Sequence, residues 1–403
     1  MAHVLIVGAG PAGALLAHLL AQRGIQVTLL ERQSDFAREF RGEILMPSGV
    51  DALEQSGLAT PLESVPRYTP VEFEAFLNRR SVFTARLDPD AFEGRPPVAL
   101  SQPGLLEMLV GEAAKAPDFR FERGASVKDL LRDGDRITGV RVRTPTGEQE
   151  LRADLVIGAD GRSSIVRRRI PLAARNQDVP MDIVWCKLPL PDGFRGVQVY
   201  LGRGHLLIAY HSWDGQLQLA WAILKGTYGD LRRQGIEQWV GEMADHVVAD
   251  FGAHIRAHTD AISHPFLLDT VSDRVERWSA PGVLVIGDAA HTMSPVGAQG
   301  LNIALRDAIV AANQLLPVLS ASTLDADRLD AAARAVQAER LPEVAAIQRL
   351  QALPPRIVLN RARWADSVRS VAAALLRTSF GQRRALAMGR VFAFGTTEVR
   401  LRV

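Results

Sequence analysis

The sequence predicts an α/β fold in which a parallel sheet is interrupted by a second, antiparallel sheet and followed by helices. Three observations predict it. Continuous apolar runs at 3–7, 155–158 and 283–286 each lead straight into a turn rich in glycine and aspartate, as strands buried on both faces do. Between these runs, 67–98 and 173–277 lose the strand–helix rhythm and hold strand-like runs such as 196–201, 205–210 and 216–224. The tail beyond Pro317 is helical in composition, with breaks expected at Pro342 and at Pro354-Pro355.

Composition allows such a fold. A chain of 403 residues with 47% hydrophobic and 23% charged side chains can bury a large core and resembles no disordered, fibrous or membrane class. Its length suggests two or three domains. A net charge of +2 is too small to point to nucleic acid. The single Cys186 excludes an intramolecular disulfide and a multi-cysteine metal site, so a reducing cytoplasm fits and no metal is expected. A strand beginning within three residues of Met1 leaves no room for a signal peptide, and no apolar run reaches the roughly 20 residues of a spanning helix. A cytoplasmic protein is therefore expected. The charge is uneven, however: beyond Leu341 there are 11 arginines against Glu343, Asp366 and Glu398. This reads as a solvated helical face or as a patch for weak contact with a membrane surface.

The first apolar run is followed by Gly8-Ala9-Gly10-Pro11-Ala12-Gly13, a helix over 14–23 ended by Gly24, and a second strand that finishes at Glu31. That is a Rossmann-like βαβ unit. Gly8 permits the tight turn, Gly10 lets backbone N–H groups approach a pyrophosphate, Gly13 allows close helix packing, and Glu31 can accept from a ribose diol. Ala12 and Arg32 complete the set of candidate contacts on this side. The motif alone does not separate NAD from FAD.

A distant junction does. The run at 283–286 ends in Gly287-Asp288, and a helix begins near Gly300 after a loop holding Pro295 and Gly297. Asp288 at the carboxyl end of a parallel strand suits a polyol better than a phosphate, which it would repel. The N–H groups at Gly300, Leu301 and Asn302 favour anionic charge such as the edge of a reduced flavin. One loop for ADP and a distant one for ribityl chain and ring describes FAD. A third stretch, Asp160-Gly161-Arg162-Ser163-Ser164-Ile165-Val166-Arg167, repeats the strand-to-turn pattern between them.

With all three in order, GAGPAG at 8–13, DGRSSIVR at 160–167 and GDAAHTMSPVGAQGLN at 287–302, the chain resembles the class A flavoprotein aromatic hydroxylases, the para-hydroxybenzoate hydroxylase-like family. The likeness covers roughly 1–310. It adds Arg41 and Gln102 as FAD contacts near the pyrophosphate or ribityl end, and it implies that Asp160 orders the turn beside the FAD and reductant sites rather than acting as a base. It also implies that Pro295 presents its carbonyl to substrate and ring, and that Gly297 to Asn302 seat the pyrimidine end. The resemblance implies a monooxygenase in which NAD(P)H is a transient reductant and O₂ adds to the reduced ring as a C4a-hydroperoxide. That species then hydroxylates an aromatic or aromatic-amine substrate, plausibly in secondary metabolism.

The domains expected are an FAD-binding part from 1–66, 99–172 and 278–330, a substrate part from 67–98 and 173–277, and a C-terminal helical region over 331–403. Candidate substrate-side residues on the presumed sheet are Tyr200, Tyr210, His211 and Trp221, of which His211 or a tyrosine could deprotonate a substrate, with Arg195 and Arg203 as carboxylate binders. His291 reads as structural rather than as a shuttle. Two other readings stay open: an FAD-dependent prenyl-chain reductase of the geranylgeranyl-reductase type, and an FAD-binding module without turnover. A flavin halogenase is disfavoured, because no lysine lies between Arg32 and Ala114.

Overall fold

The computed structural model describes residues 2–37, 43–177, 179–262 and 265–403. Its first sheet runs in the order Ser279–Ala280, Val283–Val285, Leu155–Gly158, His3–Val7, Gln26–Glu31, Phe119–Arg123. All neighbours but the first pair are parallel, and the apolar runs that form the middle strands are buried. Helix Pro11–Ala21 covers one face together with Gln102–Ala113 and the helix Gln299–Leu319. The carboxyl ends of Leu155–Gly158, His3–Val7 and Val283–Val285 lie side by side, so their three turns meet at one edge.

The second sheet has seven strands, in the order Phe266–Leu268, Met181–Pro189, Gln216–Leu224, His205–His211, Val197–Gly202, Glu72–Leu77, Arg80–Arg86. Both excursions thus feed one sheet, joined where Val197–Gly202 pairs in parallel with Glu72–Leu77. Small antiparallel sheets pin the crossings. Val98–Leu100 pairs with both Ile44–Leu45 and Arg67–Tyr68, and Ser272–Val275 with both Ala174–Gln177 and His291–Thr292.

The two faces of this sheet differ. Its outer face buries Tyr200, Leu207, Ala209, Leu217, Leu219 and Trp221 beneath two helices, Ile236–Asp245 and Ala249–Ala257. The two helices are separated by a break at 246–248. Gly252 packs so closely on the Ala244 carbonyl that a Cβ there would lie 2.6 Å away, a close return that one straight helix cannot make.

The tail departs from expectation in the other direction. One helix, Ala326–Val358, runs through Pro342 and through Pro354-Pro355. Proline at 342 frees the carbonyl four residues earlier at a cost of about 3 kcal/mol. Burial on both sides of it, by Val336, Arg340, Val344 and Ile347, keeps the helix in one piece. Helices Arg363–Leu376 and Ser379–Phe394 then cross the edge of the second sheet and return to the first.

Candidate active site

The first glycine loop is closed behind and open in front. Gly8 has φ +101°, and a Cβ on it would lie 2.5 Å from the Ala159 carbonyl oxygen, so only glycine fits against the second turn. A Cβ on Gly13 would lie 2.0 Å from the Gly8 carbonyl oxygen. In front of Gly10 the nearest atom is 3.9 Å away, leaving room for a ligand on the start of helix Pro11–Ala21. The Ala12 methyl would meet a Cβ on Gly287 at 3.2 Å, so the third turn packs on the first. Glu31 ends its strand buried, one oxygen accepting the Ala9 N–H and the other the Gln33 N–H, each at 3.1 Å. Arg32 is exposed beside it, and Gln102 opens the helix capped by Ser101, which accepts the Gly104 N–H at 3.2 Å. Arg41 lies outside the described residues.

Asp160 orders its turn. Its carboxylate caps the short helix Ile165–Arg168, accepting the Ile165 and Val166 N–H groups at 2.6 and 3.3 Å and the Ser164 hydroxyl. Burial pushes its carboxyl up against the pull of these bonds. Asp160 is thus engaged in building the turn. Asp288 is half-exposed at the strand end, with one carboxylate oxygen 3.4 Å from Arg162 Nε, so it can turn to a polyol.

The third turn builds a second open cradle. Pro295 to Ala298 and Gly300 are half-exposed among buried neighbours. Gly297 has φ +73°, Ala298 is left-handed with φ 54°, and nothing lies within 4 Å of where a Gly300 Cβ would sit. The first N–H groups of helix Gln299–Leu319 have no intrahelical partner, and the space beside Gly300 is open to a ligand. Asn302 is fully buried and acts as a brace. Its amide accepts the Met46 N–H at 2.8 Å and donates to the Ile44 and Ala298 carbonyls. The Pro295 carbonyl accepts the Ala298 N–H at 3.0 Å, closing the turn. The cradles at Gly10 and Gly300 and the acceptor at Asp288 between them fit the two ends and the ribityl chain of FAD.

Above this edge stands the inner face of the second sheet. At one end Leu206, Met181 and Ala222 pack with Val296, and at the other Tyr210 reaches Glu43. Between them Trp185, Val197, Val199 and Ile208 are only half-buried, although their strands are central and the opposite face is fully covered. A half-open apolar face of this kind is what the wall of a ligand site requires.

Two substrate-side expectations fail here. Tyr200 is 0% exposed and stacks between Phe76 and Phe251 in the outer core, its hydroxyl bonded to Gln198. His211 alternates with Tyr210, shares the outer parity of Leu207 and Ala209, and stacks on Tyr68. Neither can serve as a base toward the cavity. Arg195 and Arg203 are exposed, and Arg203 bonds the Arg361 carbonyl at 2.8 Å. Trp185, Tyr210 and Lys187 line this face and Glu43 meets it; of these, Tyr210 alone is among the residues the sequence offers. Strand alternation, anchored on a known register, is the signal that finds the first three. His291 is buried, with Nε2 2.6 Å from Asp307 Oδ2, as a structural histidine should be.

Two cradles this far apart on one sheet edge suit a long dinucleotide under an apolar roof, the architecture of flavoprotein hydroxylases. Residues 1–346 match the family described as FAD binding domain, and the chain belongs to that family. It is an FAD-dependent monooxygenase of the aromatic-hydroxylase type. Over 99% of its length it is 34% identical to 6-methylpretetramide 4-monooxygenase of Streptomyces rimosus, 94% of which is covered. It is 29% identical to 12-dehydrotetracycline 5-monooxygenase/anhydrotetracycline 6-monooxygenase of Streptomyces rimosus subsp. rimosus, over 86% of this chain and 68% of that one. Among solved structures, PqsL of P. aeruginosa in complex with 2-aminobenzoylacetate superposes with a TM-score of 0.78 at 23% identity, over 91% of this chain and 98% of that one. For p-nitrophenol 4-monooxygenase PnpA of Pseudomonas putida DLL-E4 the TM-score is 0.79 at 18% identity, over 99% and 100%. These two carry the fold.

Proposed function

We propose that this monooxygenase hydroxylates an uncharged, fused-ring aromatic of the kind its tetracycline-type relatives are named for. The observation that carries this is the half-exposed apolar wall of Trp185, Val197, Val199 and Ile208. Among the described residues of that wall the one cation is Lys187, and Asp214 already holds it at 2.5 Å. A small aromatic acid would leave its carboxylate without a partner there.

FAD, when bound, supplies reducing equivalents from NAD(P)H and activates O₂. The chain's part is to hold and shield. Gly10 would admit the pyrophosphate to a helix start, Glu31 would accept from the ribose, Asp288 would take a ribityl hydroxyl, and the N–H groups of Gly300 and Leu301 would serve the pyrimidine end. The inner sheet face orients the ring and keeps water from it. The test is oxidation of NAD(P)H by the FAD-loaded protein in air, with phenols, anilines and fused-ring polyphenols, and product masses. A fused-ring compound that speeds oxidation and gains one oxygen is expected. Preference for small acids, or acceleration that yields only hydrogen peroxide across the panel, overturns the substrate assignment.

Asp288→Ala should leave a folded protein that sheds FAD on gel filtration. A variant that elutes fully yellow would count against the ribityl role.

The second part of the proposal concerns the basic tail. Among the described residues no helix is long and apolar enough to cross a membrane. Helix Arg363–Leu376 nevertheless turns Trp364, Val368, Val371 and Leu375 outward at helical spacing, 58%, 41%, 60% and 52% exposed, within the arginine-rich region. A weak contact with an anionic lipid surface follows. Co-sedimentation with anionic but not zwitterionic vesicles at low salt is expected, and recovery in the supernatant with both removes this part.

A further inference from the structure

Glu43 is the carboxylate that the preceding reading leaves without a task. It is 9% exposed, stands one residue before Ile44–Leu45, and is met from the second sheet by two hydroxyls. Tyr210 Oη donates to Oε2 at 3.2 Å and Ser212 Oγ at 3.1 Å. Among the described residues the group that faces Oε1 is the Lys187 ammonium, at 3.9 Å, beyond hydrogen-bond reach, and Asp214 holds that ammonium at 2.5 Å. The next residue's carbonyl accepts from the Asn302 amide at 3.3 Å, so Glu43 stands beside the brace of the helix start that faces the flavin's pyrimidine end. Its Tyr210 partner shares the cavity face with Ile208 and lies edge-on to Trp185, ring centroids 6.4 Å apart.

A buried carboxylate with one oxygen fixed and the other open is costly unless something completes it. We infer that Glu43 is the hydrogen-bond acceptor for a ring hydroxyl of the substrate, its orientation set by Tyr210 and Ser212. This rests on the fused-ring reading above and adds a specificity: the substrate carries a free phenolic or enolic O–H that points to the first sheet. The carboxylate form is the one that accepts. Burial raises the Glu43 carboxyl above its ordinary range, opposed by Lys187, Ser212 and Tyr210 and assisted by Asp214. As pH falls through that raised value, Glu43 takes up a proton and the preference for a hydroxyl donor is lost.

The test uses the FAD-loaded protein and two probes, 2-hydroxyanthraquinone and its methyl ether, with binding read by quenching of tryptophan fluorescence. Wild type is expected to bind the phenol at least tenfold more tightly than the ether at neutral pH, and the ratio should shrink on acidification. Glu43→Gln keeps a carbonyl oxygen for Tyr210 and Ser212 but no charge. Its ratio should fall below about three and lose its pH dependence. Glu43→Asp, which retains a carboxylate, should keep a pH-dependent preference. If wild type binds both probes alike, or if the Gln and Asp variants behave alike, the inference is overturned while the aromatic cavity stands. If wild type binds neither, the fused-ring reading fails and takes this inference with it.

Discussion

Arg340→Ala is expected to lower the stability of the protein by about 3–5 kcal/mol, the range for removing one partner of a buried ion network. Arg340 is 0% exposed and donates through Nε to Asp307 Oδ1 at 2.7 Å, and it also bonds Glu343. Asp307 in turn accepts from the Gly287 N–H at 3.0 Å and meets His291, while Glu343 pairs with Arg306 at 2.8 Å and accepts the Thr396 N–H at 3.0 Å. Alanine would leave two carboxylates in the core with one cation fewer between them. Urea unfolding at pH 7 measures the loss, and a change under about 1 kcal/mol would mean that the network relaxes around the gap. Acid provides a second readout. Burial alone would raise the Asp307 carboxyl, but His291 and Arg340 outweigh it and hold it at about 2 against an ordinary 3.8. Its contribution is therefore present above about pH 4 and is lost as pH falls toward 2. Wild type should weaken over that window and Arg340→Ala much less.

Gly8→Ala is expected to weaken FAD binding at least a hundredfold, about 3 kcal/mol. The position combines φ +101° with backbone of the second turn at 2.5 to 2.7 Å from any Cβ, and backbone cannot swing aside as a side chain can. The loop must shift, and with it the N–H groups offered to the pyrophosphate and the contact between the first and second turns. Fluorescence titration of the apoprotein with FAD tests this, with circular dichroism to show that the variant is folded. Affinity within threefold of wild type would mean that the loop is free to adapt and that the cradle is less constrained than its packing implies.

The strand-to-turn pieces were legible because each is local: five or so apolar residues, then a glycine or aspartate whose task is set within a few positions. Gly8, Gly13, Asp288 and Gly300 could all be placed on that basis. Tyr200 and His211 were misplaced because a strand alone does not say which parity faces the cavity. Register decides that, and here it is fixed by the pairing of Val197 with Tyr210 and of Val197 with Phe73, far apart in sequence. Glu43 was invisible for the same reason, since its partners Tyr210 and Ser212 lie 167 and 169 residues away. Prolines 342, 354 and 355 misled because their cost is local and visible, whereas the burial that outweighs it is tertiary.

The first sheet takes its parallel strands from 3–7, 26–31, 119–123, 155–158 and 283–285. The loop at Gly297 is then clasped from far downstream, where Gln299 Nε2 bonds the Phe392 carbonyl at 2.8 Å and the Phe392 ring fills the space a Gly297 side chain would need. Such a high contact order makes folding slow. On a ribosome the first glycine loop emerges hundreds of residues before the parts that complete its groove, so a nascent chain carries half a binding site throughout most of its synthesis. Cofactor loading is accordingly expected to follow synthesis, with flavin supply governing how much protein matures rather than how much is made.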